Sequence, residues 1–133
     1  MRSKSKKILT EISAGELLDK IAILEIKLVK IKDKKSLLEI NKEYESLKKT
    51  KNSNIKLTKN LENLIIQLKE INLKLWNIED KKRICENNKD FGQTFIDLSR
   101  SVYLNNDMRA NIKSKINKIL GSNIREVKQY VNY

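Results

Sequence analysis

Residues 57–78 read LTKNLENLIIQLKEINLKLWNI, and their spacing decides the fold. Leu57, Leu61, Leu64, Leu68, Ile71, Leu75 and Ile78 recur alternately four and three residues apart. That is one stripe of a helix, of the kind that packs closely on an antiparallel neighbour. The stripe continues in phase through Lys82 to Cys85, so the cysteine reads as a small core residue. The helix is expected from about residue 56 to 87, ending at Asn87-Asn88-Lys89.

Upstream, Ser13-Ala-Gly-Glu16 has the form of a capping box, with Ser13 as N-cap, Glu16 at N3 and Ile12 and Leu17 in the staple positions. Leu17, Ile21, Leu24, Leu28 and Ile31 form a heptad seam, flanked by Leu18, Ala22 and Val29. A segment apolar on so many sides belongs at the centre of a structure. The phase slips at Lys32-Asp33-Lys34-Lys35, which predicts a kink or a short break. Ser36-Leu-Leu-Glu39 has the form of a second capping box, and a new seam runs through Leu37, Ile40, Tyr44 and Leu47. The first helix is therefore expected over about 14–50, followed by a polar turn at Thr50–Asn54.

Downstream, Asp90-Phe-Gly-Gln93 resembles a further capping box. Phe91, Phe95, Leu98 and Val102 lead a seam that lands on Asn105 and Arg109 before returning to Ile112, Ile116 and Ile119. Either this helix runs through and buries those two polar residues, or Asn105-Asn106-Asp107 breaks it. Leu120-Gly121-Ser122 is a stop signal, and Ile124, Val127 and Val131 predict a short last helix. The expected fold is all-α: an antiparallel bundle of three main helices plus a short C-terminal one, in one domain over residues 8–133. Residues 1–7 are expected to be a disordered basic arm.

Composition agrees with a helical protein. The chain has 133 residues, no proline and three glycines, and 35% of its residues are charged. No apolar run approaches the length of a membrane span, and no signal-peptide core follows the basic start, so a cytoplasmic location is expected. With no histidine and one cysteine, a zinc or haem site has no donors. No cofactor is expected, and a metal would have to be hard and oxygen-bound, such as Mg²⁺. The net charge is +12, carried by 24 lysines and five arginines in a chain also rich in isoleucine and asparagine. AT-rich codons supply those residues, so the charge reads as a solvated surface, with at most salt-sensitive, non-specific nucleic-acid binding. Against that background the arginines are informative, because their planar fork pairs with carboxylate or phosphate in two places at once.

Four blocks carry a family resemblance. Glu11-Ile-Ser-Ala-Gly-Glu-Leu-Leu-Asp-Lys-Ile-Ala-Ile-Leu-Glu-Ile-Lys27 resembles the opening signature of a family of uncharacterised bacterial proteins, a domain of unknown function. Leu75-Trp-Asn-Ile-Glu-Asp-Lys-Lys-Arg83, Ser101-Val-Tyr-Leu-Asn-Asn-Asp-Met-Arg-Ala110 and Ile112-Lys-Ser-Lys-Ile-Asn117 with the later Leu-Gly-Ser are similar to further blocks of it. The resemblance implies a shared design and no activity.

In an up-down-up hairpin, the polar residues in or beside the seams would lie level at one end. The candidate ligand-binding set is Glu25, Lys27, Glu79, Arg83, Glu86, Arg100, Tyr103, Asn105, Asp107 and Arg109. Glu25 interrupts an apolar stripe, and a buried carboxylate needs a cation beside it. Such a cluster can be a register-fixing network or a ligand site. The leading expectation is a ligand- or partner-binding bundle, a homo-oligomer, taking an anionic phosphorylated or carboxylated molecule. The alternative is a small enzyme on a phosphorylated or nucleotide-type substrate. One form would use Glu16, Asp19, Glu79 and Glu86 as Mg²⁺ ligands, resembling all-helical nucleotide pyrophosphatases through a single Glu16-x-x-Asp19 match. The other would use Arg83, Arg100 and Arg109 to hold the anion.

Overall fold

The computed structural model describes residues 6–132. Residues 1–5 of the expected basic arm, and Tyr133, lie outside the described residues. Lys6 and Lys7 are exposed and carry no regular structure. The fold is all-α: α1 (Ala14–Lys30), α2 (Lys34–Asn54), α3 (Lys59–Asn87) and α4 (Gln93–Leu120), with no strand among the described residues. They have 17, 21, 29 and 28 residues. The expectation of three main helices plus a short one is corrected to four helices. The predicted C-terminal helix is absent, and residues 123–132 follow an irregular, exposed path.

The fourth helix comes from a clean break in the first. Ile31 and Asp33 are extended, and Asp33 caps α2 by accepting from the Ser36 N–H at 2.9 Å and the Ser36 hydroxyl at 2.7 Å. The cap is thus Asp33, not Ser36 as expected, because the helix restarts at Lys34, two residues before that serine. α2 folds back along α1, so Tyr44 reaches Glu25. Its stripe of Leu37, Ile40, Tyr44 and Leu47 is only half-buried, and no α2 residue is fully buried.

This reversal changes every later direction. α3 runs parallel to α1, and α4 returns antiparallel to both. Leu18 of α1, Leu61, Leu64, Leu68 and Ile71 of α3, and Ile112 and Ile116 of α4 form one core cluster. Each such side chain contributes about 1.5–3 kcal/mol on full burial. α1 touches all three other helices, which explains its apolar faces, while α2 packs on α1 alone. α4 runs unbroken through Asn105–Asp107, so Asn105 is buried and Arg109 half-buried. The Asp90–Gln93 box does not form: Gly92 is the N-cap, and Asp90 accepts the Gly92 N–H.

Candidate functional site

Gly15 brings α1 close to α4. A Cβ on Gly15 would stand 2.6 Å from the Lys113 carbonyl oxygen and 2.9 Å from Asn117 Oδ1. At that approach α4 caps the start of α1. Asn117 Oδ1 accepts the Gly15 N–H at 2.6 Å, and Ser122 Oγ accepts the Ala14 N–H at 2.9 Å. Ser13 Oγ accepts the Glu16 N–H, so one half of the predicted capping box is present. The other half is replaced, because the Glu16 carboxylate accepts from Lys113 Nζ at 2.7 Å.

One turn on, Asp19 is fully buried. Arg109 donates to it from Nε at 3.0 Å and from Nη2, a bidentate fork. Asn72 Nδ2 donates at 2.8 Å, and Lys113 Nζ lies 3.7 Å away. Burial pushes the Asp19 carboxyl up, but hydrogen bonds from Arg109 and Asn72 and the charges of Arg109 and Lys113 outweigh it, leaving it below the usual range. Burial likewise lowers Lys113, and Glu16, Asp19 and Glu126 more than reverse that. Arg109 is raised, first by its hydrogen bond to Asp19. Glu126, in the C-terminal segment, accepts from Lys113 at 3.1 Å and is lowered by it. This is a closed network of alternating charges.

Beside it lies a cleft of about 460 Å³ between α1, α3 and α4. Ile23, Ile26, Leu75 and Val102 form apolar walls with Trp76, the only tryptophan of the chain. Asn72, Asn106 and Arg109 supply its polar lining, and Glu79, Asp80 and Arg83 its charged edge. Arg109 therefore belongs to both regions. Its Nη1 donates to Asn106 Oδ1 at 3.4 Å while Asp19 holds the other side of the guanidinium. Glu79, Asp80 and Arg83 form no ion pair among the described residues.

The expected cluster is divided. Glu79, Arg83 and Arg109 share the cleft. Glu25 does not join them: it accepts from the Tyr44 hydroxyl at 3.2 Å and pairs with Lys69 at 3.6 Å. Lys27 is half-buried near the end of α1. Glu86 is exposed beside Lys89. Arg100 is exposed and bonded to Tyr103, which raises it. Asn105 is buried, donating to the Ser101 carbonyl at 2.7 Å, and its Oδ1 has no partner among the described residues. Tyr103 and Asp107 line a second cleft beyond Asn106. The four proposed Mg²⁺ ligands are not brought together: Glu16 and Asp19 belong to the network, Glu79 to the cleft and Glu86 to the end of α3. No group of three metal-ligating side chains occurs among the described residues.

The levels differ because α1 stops at Lys30. With α3 parallel to α1, the middle of α3 and the C-terminal half of α4 lie beside the start of α1. Lys113, Asn117, Ser122 and Glu126 were not among the expected site residues. Their signal is Arg109, Lys113 and Asn117 at spacings of four, a polar stripe beside the apolar Ile112 and Ile116.

A family model matches residues 8–133, that of DUF6165, a family of unknown function, and the chain belongs to this family. The resemblance in the four sequence blocks is thereby borne out. No curated protein and no solved structure matches the chain.

Proposed function

We propose that this member of the family is a small-molecule-binding bundle whose site is the cleft between α1, α3 and α4. The observation that carries the reading is the convergence of Arg83, Arg109, Trp76 and four aliphatic side chains on one cleft. Its volume is in the range of small-molecule sites, which join apolar walls to a few fixed polar groups. Arg109 is oriented in advance by the buried Asp19, so little ordering cost remains on binding. Arg83 brings a guanidinium with no carboxylate against it. The ligand this chemistry suits has a phosphate or carboxylate for the arginines and an apolar or ring-shaped body for Trp76.

A second reading, a Mg²⁺-dependent enzyme on a phosphorylated substrate, draws on Glu79 and Asp80 at the same cleft. Mg²⁺ commonly takes one or two carboxylates and completes its shell with substrate phosphate and water.

Trp76 offers a direct readout. Nucleotides, phosphorylated sugars and carboxylates are titrated against its fluorescence, with and without Mg²⁺, alongside thermal unfolding. Binding that shifts the fluorescence and is lost in Arg83→Ala supports the site. Turnover that needs Mg²⁺ and is lost in Glu79→Gln moves the enzyme reading ahead. No response from any compound class removes the proposal.

A further inference from the structure

The second cleft, of about 660 Å³, lies between α4 and the irregular C-terminal segment. Tyr103, Asp107 and Arg109 line it from α4, and Lys128 and Tyr130 from the segment. It shares Val102, Asn106 and Arg109 with the first cleft, so the two meet along one ridge of α4. Arg109 has five N–H groups, and its bonds to Asp19 and Asn106 account for three. Aromatic side chains line the clefts on both sides of it: Trp76 in one, Tyr103 and Tyr130 in the other. Lys128 and Arg83 add one cation to each side, and Asp107 adds a carboxylate to the second.

We infer that the cleft between α4 and the C-terminal segment is a second subsite of the same site, for the second ring of a ligand whose anion lies at Arg109. This rests on the proposed binding at the first cleft and extends it to a chemical class: two ring-bearing arms joined through phosphate or diphosphate. The segment is held as a wall by the Glu126–Lys113 bond and by Asn123, which donates to Glu11 at 2.9 Å. Tyr130 is 67% exposed, leaving most of its surface for a ligand to cover. Rings are recognised by such faces through stacking, without a base-specific pattern.

The test compares a nucleoside diphosphate hexose with its two fragments, the nucleoside diphosphate and the hexose 1-phosphate, by Trp76 fluorescence and calorimetry. Tyr130→Ala and Lys128→Ala change exposed side chains in an irregular segment, so the bundle is expected to persist, as circular dichroism would check. The two-armed molecule should bind about tenfold tighter than either fragment, and each variant should remove that advantage while fragment binding stays as before. Equal affinity of whole and fragments, or an advantage untouched by both variants, overturns the subsite. The first-cleft reading then stands if fragments still bind in an Arg83-dependent way. If neither the whole molecule nor either fragment binds, the subsite is overturned for this ligand class, and the broader titration alone decides the first cleft.

Discussion

Two polar regions lie one above the other in this bundle, and they differ in how far their charges answer one another. Around Asp19, every charged side chain has an opposite charge in contact: Arg109 and Lys113 with Asp19, and Lys113 with Glu16 and Glu126. Around Trp76, Arg83, Glu79 and Asp80 edge an open cleft without pairing among the described residues. The first arrangement is what a buried network needs to avoid large desolvation costs. The second leaves charge available to something outside the chain. Substitution should separate the two, since the first region should govern stability and the second should not.

The largest effect is expected at Asp19. Asp19→Ala leaves Arg109 and Lys113 facing each other without their shared carboxylate, at a cost of about 3–5 kcal/mol. Denaturant unfolding measures it. A loss below about 1 kcal/mol would mean that the network relaxes into water and is not the structural half of the comparison.

Gly15→Ala comes next. The added Cβ meets a backbone carbonyl at 2.6 Å, which cannot rotate away, so α1 and α4 must separate. Overpacking of this kind costs about 1–3 kcal/mol. The same unfolding experiment should show it, together with weaker exchange protection of the backbone amide at position 15, whose acceptor is Asn117. An unchanged midpoint would break the claim that this contact sets the spacing of the two helices.

The sequence carried the helices more fully than it carried the site. From Leu61 on, the seam of Leu64, Leu68, Ile71, Leu75 and Ile78 is buried as its spacing requires, and so is Cys85, while Leu57 lies before the start of α3 and stays exposed. The break near Lys32 was visible too, but its consequence was not. Three non-helical residues can kink a helix or reverse it, and the outcome depends on whether α2 finds a face of α1 to cover. Its half-buried stripe was enough. That choice reversed α3 and so changed which polar residues are level. Asp19 was legible only as half of a weak metal pattern, because nothing local shows that its partner stands ninety residues away. Ile124, Val127 and Val131 have helical spacing, but the helix did not form. Val127 and Val131 stay almost fully exposed, so no packing offsets the nucleation cost of a short helix.

Acid titration sharpens the comparison further. Asp19 and Glu126 are both held below their ordinary values, so their contribution is present above the unfolded carboxylate range and is lost as pH falls through the lowered folded values. Stability should therefore fall below about pH 4. Lys113 is raised, so its contribution is present at neutral pH and is lost only as pH climbs beyond about 10.5. Asp19→Asn should flatten the acid limb. An acid limb as steep as that of the unaltered protein would assign the titration to other carboxylates.

Arg83→Ala should have the smallest effect on the fold. The side chain is exposed and has no ion pair among the described residues, so the change in stability should stay within about 0.5 kcal/mol. Its effect on ligand binding should be large by contrast, since a charge-assisted hydrogen bond is worth about tenfold or more in affinity. That ratio distinguishes the two regions most directly: Asp19→Ala lowers stability and frees Arg109 from its fixed orientation, whereas Arg83→Ala removes binding while the fold stays intact. If Arg83→Ala lowered the melting temperature as Asp19→Ala does, the cleft would be part of the same structural network. Arg109 would then be one more partner in that ion-pair network, with no role toward a ligand.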